Sequence, residues 1–447
     1  MFSNQRNKYF VTLLFCGAAE LFGAFCFLFC KQESSYNKSS RTFADTVFKS
    51  DSISKKVELL KDTVKKSFEQ MDLHEAIKLH YESTVIDSHN DYLYQVFKRG
   101  ANFGMRDNFT QSGLPRFKEG GVDIQVFAVW IPSSEEKRAY AFAREQINRC
   151  KRIEEKYSDE FEIAYNTADI DRILKSDKMC GLLGIEDGIA IGNDVDNIDK
   201  LFQLGIRYIG LTWNRSNLIG TSGRDESERG KKTEIFGGLT KFGFDVVKRM
   251  DEIGMMIDVS HLGEGAFWDV VKTTKNPIIA SHSGCYSLNP HYRNLTDEQI
   301  KAIAESGGVI MVNFLDDFIN ENGKSTRTQG INRLFGEEID ELYESNKDDM
   351  IKFNEERYKL ISSKKYNAGT SVDDLIDHID YIKKLVGVDY IGLGSDFDGG
   401  ITPPVEIYDA TCYPIITIKL AERGYTAEEI QKILGKNFLR VFRKVCG

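Results

Sequence analysis

The chain has 447 residues, of which 41% are hydrophobic and 28% are charged, and its formal net charge is −9. This is the composition of a globular protein with room for one large domain or two average ones. The acidic balance argues against nucleic-acid binding, because proteins of that class usually carry a basic face. Eight cysteines in a chain of this length do not indicate a disulfide scaffold.

The amino-terminal segment, residues 1–30, differs from the rest of the chain. Arg6 and Lys8 precede an almost uninterrupted apolar run over residues 9–30. That run is long enough to cross a bilayer, since a helical span needs about 20 residues. Glu20 in its middle opposes a membrane span, and a secretory signal peptide or a lipid-modified cysteine is the alternative. In each case we expect the following domain to be exported, whether it is membrane-anchored, periplasmic or extracellular.

A polar, serine-rich stretch over residues 31–53 predicts a linker. After it, eight apolar runs alternate with helical patterns through residues 54–447, and runs that are apolar throughout indicate strands buried on both faces. The predicted strands are residues 84–87, 121–130, 179–185, 206–212, 255–259, 277–280, 307–314 and 388–394. This alternation predicts an α/β fold, a (β/α)8 TIM-type barrel. A doubly wound open sheet is less favoured, because no glycine-rich phosphate loop follows the first strand.

The longest gap between predicted strands runs from residue 314 to residue 388. Much of it is charged and helical, particularly residues 337–364. A structureless loop of that length would be exceptional, so we predict a helical insertion between strands 7 and 8 on the active-site side. A lid, an oligomer contact and a solvated decoration are the alternatives for its role. His74 and His80, near the start of the domain, are interpreted as surface or packing residues.

Polar side chains capable of binding a metal follow five of the predicted strands. In a parallel sheet the carboxyl ends of the strands meet at one edge, where functional side chains collect. The six residues are His89, Asp91, Glu186, His261, His282 and Asp396. Imidazole and carboxylate ligands suit zinc or a similar ion. A carboxylate between two histidine-bearing sides could bridge two ions that hold a hydroxide, and a loose carboxylate such as Asp396 could carry protons.

Seven motifs give the chain a specific resemblance. They are VIDSHNDYLY (85–94), GLLGIEDG (181–188), IRYIGLTWN (206–214), GMMIDVSH (254–261), PIIASHSGCYSLNPHYRNLTDEQI (277–300), GGVIMVNF (307–314) and IGLGSDFDG (391–399). In content and order they resemble the membrane dipeptidase (renal dipeptidase-type) family of the amidohydrolase superfamily. The resemblance covers roughly residues 80–445.

The resemblance implies a zinc-dependent dipeptidase with two Zn²⁺ ions per chain and a hydroxide between them that attacks the peptide carbonyl. His89 and Asp91 would hold one zinc, and His261 and His282 the other, with Glu186 bridging the two. Asp396 would manage protons at the bridging water and the departing amine. Arg293 would bind the terminal carboxylate of a dipeptide substrate, for which its planar fork is suited. Family members are often dimers, so a homodimer is also an expectation.

One position departs from the family pattern. Many members carry a histidine after the fourth strand, in the sequence LTH, which contacts the substrate carbonyl. Here Trp213 stands at that position, in LTWN, and an indole cannot accept a proton and donates one hydrogen bond at most. Oxyanion stabilisation must then come from zinc, from Asn214 or from another group. Trp213 and Asn214 are both predicted to lie at the substrate.

Two other functions remain open at this level. One is a different metal-dependent amidohydrolase that acts on a cyclic amide or a lactone. The other is a catalytically silent, zinc-binding surface protein that has kept the barrel, for which Trp213 is the feature in favour.

Overall fold

The computed structural model describes residues 71–228, 237–321, 331–363 and 369–447. The predicted anchor segment, the linker and residues 54–70 of the predicted domain therefore lie outside the described residues. None of the helices in the described ranges is long and apolar enough to cross a membrane.

A parallel sheet forms the centre of the molecule. Its strands are β1 (Ile86–Asn90), β2 (Ile124–Trp130), β3 (Phe161–Ile163), β4 (Met179–Glu186), β5 (Ile206–Gly210), β6 (Met256–Asp258), β7 (Ile279–Ser283), β8 (Val309–Val312) and β9 (Ile391–Leu393). Neighbours follow the order β1-β2-β4-β5-β6-β7-β8-β9, and β3 pairs with β4 off this path. The eight strands of the path correspond to the eight predicted runs, which confirms the (β/α)8 barrel. The three-residue β3 was not predicted, because so short a run carries no periodicity.

Helices cover the outside of this barrel. They are α1 (Leu73–Glu82), α2 (Tyr92–Arg99), α3 (Leu114–Glu119), α4 (Ala139–Lys156), α5 (Thr167–Ile173), α6 (Asp196–Leu204), α7 (Gly223–Ser227), α8 (Lys241–Ile253), α9 (Glu264–Thr273), α10 (Asp297–Glu305), α11 (Asp316–Ile319), α12 (Ile331–Asn346), α13 (Met350–Ser363), α14 (Val372–Val386), α15 (Tyr413–Glu422), α16 (Ala427–Gln431) and α17 (Asn437–Cys446). Every residue of β1, β4, β5 and β7 is buried, as expected for strands enclosed by helices on one side and by the barrel interior on the other.

The barrel is closed between β1 and β9 by a buried carboxylate and by backbone bonds. Asp87 in β1 accepts from the backbone N–H of Ser395 at 2.8 Å and from its hydroxyl at 2.6 Å. The N–H of Asp396 donates to the carbonyl of His89 at 3.0 Å. These bonds hold the loop after β9 against the end of β1, so Asp396 is brought beside His89.

The predicted insertion between the last two barrel strands is helical in the described residues, as α12 and α13. In α13, Arg357 is fully buried and donates to the carbonyl of Thr411 at 2.8 Å. Asn354 donates to the hydroxyl of Tyr81 in α1 at 2.9 Å. These contacts place α13 on the outside of the barrel beside α1. A lid, an oligomer contact and a solvated decoration stay the alternatives for its role.

The two early histidines have the surface and packing roles that were predicted for them. His74 lies at the surface and its Nδ1 is 2.8 Å from Glu355. His80 is buried, with Nδ1 2.8 Å from the hydroxyl of Thr417 and Nε2 2.9 Å from the carbonyl of Gly120. Burial lowers the pKa of His80 to about 4, so this imidazole is neutral in the folded protein at neutral pH.

Candidate metal centre

The six polar side chains predicted from the strand ends meet in one buried cluster. Their candidate ligand atoms form three overlapping groups, and within each group the atoms lie within 4.8 Å of one another. The groups are His89, His282 and Asp396; Glu186, His261 and His282; and His89, Asp91 and Glu186. Because His89, Glu186 and His282 each belong to two groups, the three groups form a single centre.

Glu186, the last residue of β4, lies in the middle of the cluster. Its Oε1 is 2.9 Å from Nε2 of His261 and 3.6 Å from Nε2 of His282, whereas its Oε2 is 3.5 Å from Nε2 of His89. The two carboxylate oxygens therefore face different histidines. Burial alone would raise the pKa of Glu186, but these imidazoles, with His89 the strongest, hold it well below its usual range. Glu186 is thus an anion in a site from which water is largely excluded.

The ring of His89 is oriented by a tyrosine that crosses the barrel interior. The hydroxyl of Tyr208 in β5 donates to the carbonyl of Ser88 at 3.0 Å, and the same hydroxyl lies 3.0 Å from Nδ1 of His89. Since the phenolic hydrogen is used on Ser88, the oxygen accepts from Nδ1–H, and Nε2 is the nitrogen directed at the carboxylates. Burial alone would lower the pKa of His89, but Glu186 raises it to about 10, so Nε2 is a position for a proton or for a metal ion. Gly184 makes room for the ring of Tyr208, because a Cβ at position 184 would lie 2.1 Å from that ring.

The ring of His282 is oriented in a comparable way by a buried aspartate. The Oδ2 of Asp258 accepts from the hydroxyl of Ser281 at 2.6 Å, and Oδ1 accepts from the Ser281 N–H at 2.9 Å. The Ser281 oxygen then lies 2.8 Å from Nδ1 of His282. Because its hydrogen goes to Asp258, this oxygen accepts from Nδ1–H and leaves Nε2 of His282 as an acceptor directed into the cluster.

His261 completes the pattern at the end of β6. Its Nδ1 is 2.9 Å from Oδ1 of Asn214, so Nδ1 carries the hydrogen and Nε2 is again the acceptor. The backbone of His261 has φ +65°, the left-handed region that non-glycine residues rarely adopt. Such strain is concentrated at functional sites. Asn214 was predicted as a substrate contact, and the structure places its amide oxygen on this candidate metal ligand.

The three imidazoles therefore direct their Nε2 atoms at one another and at a carboxylate. Nε2 of His261 and Nε2 of His282 are 3.0 Å apart, and Nε2 of His89 has no hydrogen-bond partner among the described residues. Acceptor atoms this close in a buried site repel one another unless a cation or protons lie between them. The set of imidazole nitrogens and carboxylate oxygens fits a zinc-like cation.

Two further carboxylates, Asp91 and Asp396, belong to the cluster. Asp91 has Oδ2 3.9 Å from Nε2 of His89, and its Oδ1 has no hydrogen-bond partner among the described residues. Burial, together with Glu186, raises the pKa of Asp91 well above its usual value. Asp396 lies in the left-handed region with φ +64°, and its Oδ2 accepts from Nδ2 of Asn313 at 3.2 Å. Burial raises the pKa of Asp396 to about 6, although His89 opposes the shift.

Arg293 is a buried cation at the edge of the cluster. Its Nη2 donates to the carbonyl of His282 at 2.9 Å, and its Nε has no hydrogen-bond partner among the described residues. The guanidinium lies 5.2 Å from the ring centroid of Phe318. None of the described carboxylates forms an ion pair with it, so this buried guanidinium is a natural site for an anionic group.

Several residues that support the cluster were missed from the sequence. They are Tyr208, Asp258, Ser281 and Asn313. Asp258 carried a usable signal, since an aspartate inside the apolar run MMIDV must be paired when the strand is buried. Tyr208 carried none, because a tyrosine in IRYIGLT looks like an ordinary core residue. Trp213 was predicted to lie at the substrate, and its ring centroid is 6.3 Å from that of His261.

The sequence matches a known family over most of its length. The model of the membrane dipeptidases, peptidase family M19, matches residues 73–446. The chain belongs to the membrane dipeptidase family. It is thereby a member of a family of metallopeptidases, and the resemblance that the seven motifs indicated is confirmed.

Solved structures with the same fold include two proteins described as dipeptidases and one described as a metallopeptidase. The probable dipeptidase PvdM from Pseudomonas aeruginosa is 25% identical with a TM-score of 0.69, over 83% of this chain and 98% of that one. A metallopeptidase from Rhodobacter sphaeroides, liganded with a phosphinate mimic of the dipeptide L-Ala-D-Ala, is 24% identical with a TM-score of 0.66, over 81% and 99% of the two chains. The dipeptidase AC, a metallopeptidase of family M19, is 24% identical with a TM-score of 0.66, over 82% and 99%.

Asp258 supports His282 indirectly, through the Ser281 hydroxyl. We therefore expect metal binding in this member of the membrane dipeptidase family to depend on Asp258. Replacing Asp258 with Asn should weaken metal binding about 10- to 100-fold, because the amide no longer holds the Ser281 hydroxyl as an acceptor for Nδ1–H. Competition with a chromophoric chelator measures that affinity. Asp123→Asn is the matched control, since Asp123 accepts from the Val85 N–H at the amino end of the barrel. Equal zinc affinity in Asp258→Asn and wild type would contradict the assignment.

Proposed function

We propose that this protein is a dinuclear zinc dipeptidase that hydrolyses the peptide bond of dipeptides. The proposal rests on the two carboxylate oxygens of Glu186, which face different histidines. Its Oε2 faces His89, and its Oε1 faces His261 and His282. A carboxylate with a separate set of nitrogen ligands on each oxygen is the arrangement that two bridged ions require.

These distances, together with the 3.9 Å between Oδ2 of Asp91 and Nε2 of His89, support two ligand sets. His89 and Asp91 would hold one zinc, His261 and His282 the other, and Glu186 would lie between the two ions. Zinc in such a pair lowers the pKa of a water molecule and polarises a substrate carbonyl. The protein contributes the orientation of all three imidazoles, through Tyr208, Ser281 and Asn214, and a buried environment in which charge interactions are strong.

Arg293 would fix the carboxylate end of the substrate. Its guanidinium is held by the carbonyl of His282, so the carboxylate would lie above β7 with the scissile carbonyl over Glu186. A planar fork can bind both oxygens of a carboxylate. A chain longer than two residues would carry its carboxylate beyond this position, which favours dipeptides.

Asp396 would carry the proton between the two halves of the reaction. It forms a group with His89 and His282, and Asn313 fixes one of its oxygens. As a base it would take a proton from the attacking water, and as an acid it would deliver that proton to the departing amine. We assign Asn214 a direct substrate contact through its amide NH₂ only, since its oxygen is engaged by His261.

Changing Glu186 to Gln tests the bridging assignment. We expect fewer than two zinc ions per chain and a loss of kcat/KM of at least about 100-fold, because the neutral amide cannot serve two cations. Zinc is measured by elemental analysis of the full chain and hydrolysis by release of amino acids from Ala-Ala.

The matched control for this test is Glu119→Gln, since Glu119 is also buried but pairs with Arg106 away from the cluster. Wild-type zinc content and activity in Glu186→Gln would contradict the proposal. If the wild-type protein binds two zinc ions and hydrolyses a lactone or a cyclic amide but no dipeptide, the result would favour another amidohydrolase. If the wild-type protein binds two zinc ions and hydrolyses none of these substrates, the result would favour a catalytically silent binding protein.

Changing Asp396 to Asn tests proton transfer separately from metal binding. We expect kcat to fall about 100- to 10,000-fold with zinc content retained. The base form of Asp396 exists above its pKa, so wild-type kcat/KM should fall as the pH drops below about 6 or below a lower value set by bound zinc. The variant should lack that acid limb. Asp123→Asn is the control, because burial raises the pKa of Asp123 to about 6 as well. An unchanged pH profile in Asp396→Asn would contradict the role.

We further propose that residues 9–30 export the enzyme and hold it at a membrane. The support is their apolar sequence behind Arg6 and Lys8. Carbonate extraction of membranes from cells that express the full chain should leave the protein in the membrane pellet, and protease added outside should reach its domain. Release by carbonate, together with an amino terminus beyond residue 30, would instead show a cleaved signal peptide. A homodimer stays a prediction, which the mass of the detergent-solubilised protein would test.

A further inference from the structure

We propose that Tyr94, Trp130 and Trp213 form an aromatic wall that selects the side chain of the substrate's amino-terminal residue. The wall would favour dipeptides that begin with an aromatic or large apolar residue. This inference rests on the proposed dipeptidase function and assigns it a substrate class.

The two indoles, of Trp130 and Trp213, lie beside the candidate metal ligands. Trp130 is the last residue of β2, and the strand register pairs it with Glu186 at the end of β4. Trp213 follows the end of β5 and its ring centroid lies 5.2 Å from that of Trp130, at an interplanar angle of 65°. The ring of His261 is the next aromatic neighbour of Trp213, at 6.3 Å. A substrate whose carbonyl lies over Glu186 must therefore lie close to both indoles.

The three aromatic side chains pack in series, Tyr94 on Trp130 and Trp130 on Trp213. Tyr94 in α2 meets Trp130 edge-to-face, with ring centroids 4.7 Å apart and an interplanar angle of 89°. All three side chains are only partly buried, so each retains ring surface that a ligand can cover. Aromatic rings supply large apolar contact areas and favour further edge-to-face or offset partners. A phenyl or branched apolar side chain is the chemistry that such a surface recognises.

The positions of Arg293 and Trp130 around the barrel determine which end of the substrate meets the wall. In the strand order β1-β2-β4-β5-β6-β7-β8-β9, β2 and β7 are four places apart and lie on opposite sides of an eight-stranded barrel. Arg293, the proposed carboxylate site, is bound to the backbone of β7 through His282. With the carboxylate above β7 and the peptide bond over Glu186, the amino-terminal residue extends towards β2 and Trp130.

This arrangement gives a function to Trp213, which stands where many family members carry a histidine. Trp213 cannot act as a proton acceptor toward the substrate, but its ring completes an apolar surface with Trp130. A smaller polar ring at that position would leave Trp130 with less contact area. Trp213 is therefore assigned to substrate selection.

The test compares three dipeptides on the zinc-loaded full chain: Phe-Ala, Ala-Ala and Ala-Phe. The measured quantity is the ratio of kcat/KM for Phe-Ala to that for Ala-Ala, which cancels effects common to both substrates. We expect a wild-type ratio of at least about tenfold, since burial of a phenyl group is worth that much or more. Trp213→Ala and Trp130→Ala should each lower the ratio several-fold, whereas Trp213→Phe should largely preserve it. The ratio of Ala-Phe to Ala-Ala should not change.

Leu218→Ala is the matched control, because Leu218 lies in the same connection after β5 but is 60% exposed to solvent. Its ratio should equal that of the wild type. A wild-type ratio near one, an unchanged ratio in both alanine variants, or a change confined to Ala-Phe would overturn the wall. If an alanine variant fails to bind zinc, the wild-type ratio decides: at least about tenfold supports the proposal, and a ratio near one overturns it. No hydrolysis of any of the three dipeptides would instead refute the dipeptidase function itself.

Discussion

The structure depends on one buried carboxylate, Glu186, that is surrounded by imidazole nitrogens. With its two oxygens between 2.9 and 3.6 Å from three Nε2 atoms, it forms the contact that joins the ends of β1, β6 and β7 to the end of β4. A carboxylate and three nitrogen acceptors in a buried site are stable only when cations or protons compensate them. The need for that positive charge is the physical reason to assign a metal centre here.

The surrounding fold prepares those nitrogens in advance. Each histidine gives its Nδ1 hydrogen to a fixed acceptor, namely Tyr208, Ser281 or Asn214, so that Nε2 is left as the ligand atom. Two buried aspartates each accept a hydrogen bond from a serine hydroxyl across neighbouring strands. Asp87 binds Ser395 where the barrel closes, and Asp258 binds Ser281 between β6 and β7. The same bonds that complete the barrel thus orient its candidate ligands.

The sequence could predict the barrel and the six clustered side chains for a common reason. Each side chain directly follows a run of apolar residues, and parallel strands place their carboxyl ends together. The residues that support the cluster were harder to predict. The hydrogen bond between Tyr208 and His89, for example, joins positions 119 residues apart and leaves no local sequence pattern. Likewise, the contact of Asn214 with His261 depends on the backbone conformation of His261, φ +65°, which the sequence does not reveal. The short β3 lacks any periodicity.

The most direct test of the account is anomalous diffraction at the zinc absorption edge from crystals of the zinc-loaded protein. We predict two anomalous peaks, one between His89, Asp91 and Glu186 and the other between His261, His282 and Glu186. Two peaks on opposite oxygens of Glu186 would establish that this carboxylate bridges a dinuclear centre. A single peak, or two peaks that do not share Glu186, would contradict the central claim.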